Sequence, residues 1–334
     1  MVKKMNNNLK EFINKANSLK SLYTAGPSSL LEENIEFLQP CFGRNDHIYK
    51  EAEEFVINFL ARLSSHKNVV RIQGSATLAL EIGILNFCRG RILIIETGYY
   101  SNRLLKIAEK QSLDVQSRVD FIAYKDLNKL SQEKYDWIIA CYTETSIGLK
   151  IDINYLNEIK KSLNSRLLLD ATASIGIENK HELADVICYS SCKGLFGLTG
   201  SSFIAFNDLE IFEPQNSYYL SIKTHLSKSV TGPYHSILSL YGVFQNYDKY
   251  LKRLNKWHNS FLEVFKDNLV HDLKSQPKLC TLLNCKVKYL KTNPVPYKPR
   301  IDLNGSIICH IGQIHNKIEK IDNNLIKKHF TLNR

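Results

Sequence analysis

Polar residues follow several short apolar runs in this chain, at the places where predicted strands end. The group Gly74-Ser75-Ala76-Thr77 follows the predicted strand Val69–Ile72 and begins a predicted helix. Hydroxyl groups and free backbone N–H groups at a helix N-terminus suit a phosphate. Taken alone, this segment is explained more often by plain N-capping. No Gly-Lys-Ser/Thr follows it, so it is not a P-loop.

Two ionisable side chains lie at further strand ends. Asp170 follows the apolar run Leu167–Leu169, and ligands of open α/β sheets lie beyond the carboxyl ends of the strands. An Asp that caps the following turn would give the same pattern. Lys193 follows the predicted strand Val186–Tyr189 and precedes Gly194, and a desolvated lysine there can form a Schiff base. An ordinary surface lysine is the alternative for this residue alone.

An aromatic loop lies between these groups in the chain. Tyr99 and Tyr100 follow the predicted strand Ile92–Ile95, and their rings suit either stacking on a flat ligand or core packing. A phosphate site, a stacking aromatic, a strand-end Asp and a strand-end Lys, in this order, are together what pyridoxal 5'-phosphate requires. The phosphate anchors this cofactor, the Asp keeps its pyridine nitrogen protonated, and the Lys holds its aldehyde as an imine.

Short strands alternate with helices from about residue 50 to residue 210. The predicted strands are Val69–Ile72, Ile92–Ile95, Val119–Ala123, Trp137–Cys141, Arg166–Leu169, Val186–Tyr189 and Ser202–Phe206. The predicted helices around them are Glu51–Leu63, Ser75–Cys88, Arg103–Gln111 and Asn154–Leu163. Helical connections imply parallel neighbours, so we expect an α/β fold with a mainly parallel seven-stranded sheet between helices.

The pattern changes after about residue 215, where it predicts a reduced C-terminal α+β lobe. The predicted elements are the helices Ser236–Tyr250, Leu251–Leu273 and Lys317–Lys328, the loop Pro294–Pro299 and the strand Ser306–Ile311. Residues 1–20 are rich in Lys and Asn with weak helical spacing, which is typical of a frayed helix or a mobile arm. We therefore expect a polar N-terminal arm over residues 1–21, a cofactor-binding large domain over 22–235 and a small domain over 236–334.

The composition indicates a folded chain, because 44% of its 334 residues are hydrophobic and 23% are charged. The net charge of +11 comes from the two ends, since residues 1–20 carry +4 and residues 251–334 carry +10. This distribution favours a solvated surface over a nucleic-acid groove. No apolar run approaches the roughly 18 residues that span a bilayer, and the N-terminus lacks a signal-peptide core, which predicts a cytoplasmic protein without a membrane partner. The eight cysteines lack zinc-site spacing, so no metal is expected.

A wider pattern comes from seven stretches: YTAGPSS (23–29), IQGSATLALE (72–81), TGYYSNR (97–103), ETSIG (144–148), LLLDATASIG (167–176), ADVICYSSCKGLFGLTG (184–200) and TGPYH (231–235). In this order and spacing, they resemble the class V, fold type I, pyridoxal-phosphate aminotransferases. The chain is similar in particular to the 2-aminoethylphosphonate–pyruvate aminotransferase branch, with the alanine–glyoxylate aminotransferases nearby. The resemblance covers about residues 22–245.

The resemblance implies a role for each matching residue around the cofactor ring. Lys193 is the expected Schiff-base lysine, and Asp170 is the expected partner of the pyridine nitrogen. Tyr100 is expected to stack on one face of the ring, with Ala171 against the other face. Thr145 is expected near the ring hydroxyl.

The resemblance also implies a phosphate site and a dimer. Ser75, Ala76 and Thr77 are expected to bind the cofactor phosphate, with help from Ser190. Thr231 is expected to reach the phosphate of the neighbouring subunit's cofactor. A homodimer with shared active sites follows from that role.

The substrate side departs from the family. Gly26 and Ser28 are expected to line the substrate entrance. The family's Arg-Ile-Gly, whose Arg binds the substrate carboxylate, is here His310-Ile-Gly, and a His lacks the bidentate fork of a guanidinium. His310 itself is one candidate for the substrate acid group, and a His packed in the small lobe is an equal alternative. Arg300 or a lysine within residues 286–298 is the other candidate.

The function expected from the resemblance is amino transfer between a small amine or amino acid and an oxo acid or aldehyde. Aminoethylphosphonate, or its aldehyde, is the first hypothesis for the substrate. A lyase or decarboxylase with the same cofactor is one alternative, which the missing Arg favours. A binding protein that keeps the fold without turnover is another, and the presence of Lys193 and Asp170 argues against it.

Overall fold

The computed structural model describes residues 2–38, 46–115, 117–130, 133–214, 216–316 and 320–333. Its contacts divide the chain into two compact units. The terminal unit contains Met1–Val56, Ser191–Thr199 and Tyr234–Arg334, and the sheet unit contains Ile57–Ser190 and Gly200–Pro233. This division differs from the predicted ranges 1–21, 22–235 and 236–334, because residues 22–56 and 191–199 cluster with the C-terminal part of the chain. The limits of a cofactor-binding domain stay a prediction.

The regular elements of the described residues are numbered in chain order. The helices are α1 (Val2–Ser18), α2 (Glu33–Glu36), α3 (His47–Ser64), α4 (Ala76–Phe87), α5 (Tyr99–Val115), α6 (Ile153–Ser162), α7 (Ile222–Leu226), α8 (Tyr234–Phe244), α9 (Tyr247–Val264) and α10 (Asn323–Lys327). The strands are β1 (Ser21–Tyr23), β2 (Asn68–Gln73), β3 (Arg91–Glu96), β4 (Arg118–Ala123), β5 (Trp137–Cys141), β6 (Thr143–Glu144), β7 (Leu149–Lys150), β8 (Arg166–Asp170), β9 (Val186–Ser190), β10 (Ser201–Phe206), β11 (Cys280–Leu283), β12 (Val287–Tyr289), β13 (Pro294–Pro296), β14 (Ser306–Cys309) and β15 (Phe330–Leu332).

A seven-stranded sheet forms the sheet unit, with the strand order β2-β10-β9-β8-β5-β3-β4. The pairs β9/β8, β8/β5, β5/β3 and β3/β4 are parallel, and β10 alone runs antiparallel to its two neighbours. The predicted mainly parallel sheet is therefore confirmed. Every residue of β5, β9 and β10 is buried, as a parallel sheet covered on both faces requires.

The terminal unit combines three two-stranded sheets, β1/β13, β11/β14 and β12/β15, with the long helix α9. Tyr23, Trp257, Phe261 and Phe330 lie in its apolar core. Helix α1 is formed, which agrees with the helical alternative for the N-terminal residues.

Several predicted elements of the terminal unit are wrong in their limits. The predicted break between two helices at 250 and 251 lies instead between Phe244 and Tyr247, and α9 ends at Val264 rather than at Leu273. Helix α9 stops there because the following backbone joins the small β11 sheet, with the Val270 N–H donating to Leu282 O at 3.2 Å.

The C-terminal predictions differ from the structure in a similar way. The predicted loop Pro294–Pro299 begins with β13, which pairs in parallel with β1. A proline has no N–H to donate, and it is tolerated in β13 because β13 is an edge strand. The predicted strand Ser306–Ile311 ends at Cys309, and the predicted helix Lys317–Lys328 is reduced to α10 in the described residues. Residues 317–319 of that prediction lie outside the described residues.

One buried amide fixes the segment 191–199 in the terminal unit. Asn34 is 2% exposed, and its Oδ1 accepts the Leu31 N–H at 2.8 Å. Its Nδ2 donates to Phe196 O at 2.9 Å and to Ser239 Oγ at 3.0 Å. Because three other parts of the chain meet at this side chain, Asn34 holds in place the segment that carries Lys193.

We expect Asn34→Leu to lower the free energy of unfolding by about 2–4 kcal/mol, because it leaves buried polar groups without partners. Urea denaturation followed by circular dichroism measures this change. Asn324→Leu, at an exposed position of α10, is the control and should change stability by less than about 0.5 kcal/mol. Equal stability of Asn34→Leu and wild type would contradict the role given to these bonds.

Candidate active site

The carboxyl edge of the seven-stranded sheet carries a buried carboxylate. Asp170 is the last residue of β8, is 3% exposed, and lies in register with Cys141 of β5 and Cys188 of β9. Its Oδ1 accepts the Thr172 N–H at 2.9 Å, and its Oδ2 lies 3.7 Å from Nη2 of Arg103. These neighbours are a hydrogen-bond donor and a cation, so the site suits an ionised carboxylate with an oxygen left for a further donor.

Arg103 and Tyr100 lie one turn apart on α5. The Cζ atom of Arg103 lies 4.8 Å from the centre of the Tyr100 ring, and the Arg103 side chain is 30% exposed. The buried Nε of Arg103 has no hydrogen-bond partner within the described part of the chain. Arg103 had no predicted role, although its i+3 spacing from Tyr100 could have indicated their contact.

The start of α4 has the features that a phosphate site needs. Ser75 is the N-cap residue with extended backbone, but its side chain makes no capping hydrogen bond. The Ser75 carbonyl oxygen accepts the N–H groups of Leu78 and Ala79 at 3.0 and 3.3 Å, which are the first hydrogen bonds of the helix. The N–H groups of Ala76 and Thr77 precede these bonds and have no acceptor within the helix. Ser75 is exposed and Thr77 is half-buried. The capping explanation therefore does not account for the Ser75 hydroxyl, and these residues fit a phosphate.

Ala171 and Ser190 lie at the same edge of the sheet. The Ala171 N–H donates to Cys188 O at 2.9 Å, which keeps Ala171 beside the end of β9. Ser190 ends β9, is 6% exposed and lies opposite Ser202 of β10. The sheet thus brings these two predicted residues to the edge that carries Asp170.

Thr145 and Thr231 have contrasting surroundings in the sheet unit. Thr145 is 1% exposed and directly follows Glu144, a fully buried carboxylate that had no predicted role. Thr231 is exposed and lies near the end of the sheet unit's second chain segment. An exposed hydroxyl can be reached by a second chain, and a buried one cannot.

The terminal unit holds the residues predicted for the substrate entrance together with Lys193. Lys193 is half-buried and follows the end of β9 by three residues. Gly26 lies against its side chain, since a Cβ at Gly26 would come within 3.0 Å of Lys193 Cγ. Ser28 lines a cavity of about 190 Å³ together with Gly312 and His315. The structure therefore brings Gly26 and Lys193 into contact.

His310 lies in the core of the terminal unit and not at a substrate surface. It is fully buried, its Nε2 lies 3.0 Å from Thr281 Oγ1, and its ring packs 4.9 Å from that of Phe261 and 5.2 Å from that of His258. Burial, with the nearby His258, lowers the pKa of His310 well below its usual value. These contacts favour the alternative of a His packed in the small lobe, and a substrate role for His310 stays an untested prediction. Arg300 is exposed and stays a prediction for this role.

Buried imidazoles should make the protein sensitive to acid. Burial lowers the pKa of His181 to about 3, so the folded state keeps this ring neutral where the unfolded state protonates it near pH 6.5. We expect the contribution of His181 to the free energy of unfolding to be complete above about pH 6.5. At lower pH this contribution should decrease by about 1.4 kcal/mol per pH unit. Urea denaturation at pH 7.5 and 5.5 measures the loss, which His181→Asn should reduce. His235→Asn, at an exposed position, should leave it unchanged, and equal pH dependence of all three proteins would contradict the assignment.

Comparison with proteins of known sequence gives relatives named as aminotransferases, although no protein-family model matches the chain. An uncharacterized aminotransferase of Helicobacter pylori is 24% identical over 247 residues, which cover 67% of this chain and 66% of the relative. A 2-aminoethylphosphonate–pyruvate transaminase of Pseudomonas aeruginosa is 27% identical over 199 residues, which cover 55% of this chain and 53% of the relative. The chain thus spans between half and two thirds of the length of these relatives.

Solved structures give a similar result at the level of the fold. A phosphoserine aminotransferase of Cytophaga hutchinsonii has a TM-score of 0.74 at 16% identity, covering 94% of this chain and 99% of that chain. An aspartate aminotransferase of Thermus thermophilus has a TM-score of 0.73 at 18% identity, covering 87% and 93%. The chain has the fold of the fold type I aminotransferases. This fold confirms the predicted fold class, and the curated relatives confirm the resemblance to aminotransferases. No helix of the described residues combines the length and apolar character needed to cross a membrane.

Proposed function

We propose that this chain is a pyridoxal-phosphate-dependent aminotransferase that moves an amino group between a small amine or amino acid and an oxo acid or aldehyde. The observation that carries the proposal is the buried Asp170 carboxylate at the carboxyl edge of the sheet, an edge that also carries Tyr100 and the start of α4. The aminotransferase names of the curated relatives support amino transfer over a lyase, a decarboxylase or a binding protein.

Bound pyridoxal phosphate supplies an electron sink that stabilises negative charge on a substrate carbon. Asp170 would hold the proton on the pyridine nitrogen, and its neighbours Thr172 and Arg103 keep the carboxylate in place. The phosphate would be bound by Ser75, Ala76 and Thr77. The Ser75 hydroxyl, which makes no capping hydrogen bond, would be one of the donors.

The remaining residues orient the ring and move protons. Tyr100 and Ala171 would pack on the two faces of the ring, and Thr145 would bind the ring hydroxyl. Lys193 would hold the cofactor aldehyde through Nζ. Once the amino group of the substrate has displaced it, the same Nζ would be a free amine that can take up and return a proton at the substrate carbon. Support for Lys193 comes from its place after β9 in the sequence and from the resemblance to the aminotransferases.

Aminoethylphosphonate or its aldehyde is the proposed substrate class, because several of the curated relatives are 2-aminoethylphosphonate–pyruvate transaminases. Gly26 and Ser28 line the entrance for it in the proposal. Arg300 is the proposed cation for an acid group, since His310 is buried and its pKa lies well below the usual value.

Incubation with pyridoxal phosphate and pooled amines and 2-oxo acids, followed by mass spectrometry, should show paired exchange. One amine loses its amino group as one oxo acid gains it. Lys193→Ala should reduce this exchange by about 100-fold or more, because it removes the proton-transfer group. Lys252→Ala, at an exposed position of α9, should behave as wild type. Loss of carbon dioxide or bond cleavage without a new amino acid would favour the lyase or decarboxylase alternative.

A homodimer with shared active sites and a cytoplasmic location are part of the same proposal. Thr231 is exposed, so a partner chain can reach it, and the resemblance to the aminotransferases gives it the role of binding the phosphate held by that partner.

Light scattering should give twice the mass of one chain, and Thr231→Ala should weaken pyridoxal-phosphate binding several-fold without changing that mass. Thr331→Ala, another exposed threonine, is the control and should bind the cofactor as wild type does. A monomer that is saturated with the cofactor would contradict the shared site.

A further inference from the structure

Glu144 is a fully buried carboxylate just beyond β5, and each of its described contacts is a hydrogen-bond donor. Its Oε2 accepts the N–H groups of Tyr100 at 3.0 Å and of Ser101 at 3.1 Å. Its Oε1 accepts the Ser146 N–H at 3.2 Å and the Ser146 hydroxyl at 2.5 Å. The Thr97 hydroxyl also donates to Oε2, at 3.4 Å. Five hydrogen bonds therefore converge on two oxygens, and this geometry matches an ionised carboxylate, which only accepts.

The surroundings of Glu144 compensate for its burial without a nearby basic side chain among those contacts. Burial raises the pKa of the Glu144 carboxyl, while the hydrogen bonds from Ser146, Ser101 and Tyr100 oppose that rise. Tyr99 begins α5, so the carboxylate also lies at the positive end of a 17-residue helix. Backbone N–H groups therefore stabilise the negative charge of this carboxylate in place of a lysine or arginine side chain.

The same carboxylate connects two loops of the sheet unit. The first loop, residues 97–101, follows β3 and includes the first residues of α5. The second loop, residues 143–146, follows β5 and includes β6, and β3 and β5 are parallel neighbours. The Tyr99 N–H also donates to Ser146 Oγ at 3.2 Å, so the loops are bonded at two points. Gly98 allows this approach, because a Cβ there would lie 2.9 Å from Ser146 Oγ and 3.0 Å from Glu144 Cγ.

We propose that Glu144 is a positioning residue for the cofactor ring, which holds the Tyr100 ring and the Thr145 hydroxyl at a fixed separation. Tyr100 is bonded to Glu144 through its backbone N–H, and Thr145 is its neighbour in the chain. The inference rests on the proposed function, because it assigns both side chains to pyridoxal phosphate. Glu144 acts through these two residues and does not itself touch the cofactor.

The test is a titration of the cofactor-free protein with pyridoxal phosphate, with two readouts. Glu144→Gln keeps the shape but turns an N–H₂ group towards N–H donors, so one loop must move. We expect the dissociation constant to rise by about tenfold or more, as loss of a hydrogen bond to a charged group implies. The circular-dichroism band of the bound cofactor should shrink as well, because that band reports the fixed orientation of the ring.

Asp152→Asn is the matched control. Asp152 caps α6 in the same unit and accepts the N–H groups of Asn154 at 2.9 Å and Tyr155 at 3.4 Å. Like Glu144 at the start of α5, Asp152 is a carboxylate that accepts backbone N–H groups at the start of a helix. Asp152 differs in that it lies on neither of the two loops. Asp152→Asn should lower thermal stability and leave the dissociation constant and the circular-dichroism band unchanged.

Each result has a separate meaning. Wild-type protein that does not bind pyridoxal phosphate would overturn the proposed function itself. If wild type binds pyridoxal phosphate and Glu144→Gln shows the same dissociation constant and the same circular-dichroism band, the positioning role alone is overturned. The positioning role is also overturned if Asp152→Asn loses as much affinity and band intensity as Glu144→Gln. If Glu144→Gln fails to fold, Ser146→Ala replaces it, since it removes the hydroxyl bonds to Glu144 and Tyr99 while keeping the carboxylate. A smaller rise of the dissociation constant in Ser146→Ala supports the role, and no rise overturns it.

Discussion

The central strands of the seven-stranded sheet are buried on both faces, and this burial decides where polar chemistry can lie. β5, β8 and β9 consist almost wholly of buried, mainly apolar residues on both faces, so a charged group along their length would lack partners. Their carboxyl ends are the first positions where backbone N–H groups and side chains can meet a carboxylate. Asp170 and Glu144 both lie at such ends.

These two buried carboxylates are stabilised in different ways. Asp170 has one backbone N–H and a guanidinium at 3.7 Å, which leaves it able to accept another donor. Glu144 accepts five hydrogen bonds, so neither of its oxygens is left for a ligand. The first arrangement suits a residue that binds something, and the second suits a residue that holds other residues.

The sequence predicts the sheet well because its signal is local. Each strand is a short apolar run, β2 and β3 lead directly into the helices α4 and α5, and Ser75, Tyr100 and Asp170 stand next to such runs in the sequence. The contacts of Glu144 are not local, since its N–H donors Tyr100 and Ser101 precede it by more than 40 residues. Periodicity carries no information on such a bond.

The terminal unit is harder to predict for the same reason. Strand β1 pairs with β13 across more than 250 residues, and proline-rich sequence does not indicate a strand. His310 has the sequence context of a substrate residue, and only the packing of Phe261 and His258 around it reveals a core residue.

The order of the two units along the chain affects how the protein folds during synthesis. All residues of the sheet unit precede Tyr234, so the ribosome releases them before α8 and α9 exist. Asn34 donates both to Phe196 O, in the segment around Lys193, and to Ser239 Oγ in α8. The second of these bonds can form only after Ser239 has been synthesised. Domains fold as their residues emerge, and contacts between distant residues form late. A nascent chain that stalls before α8 therefore contains every residue of the sheet unit but lacks Ser239, one of the two groups to which the Asn34 amide donates.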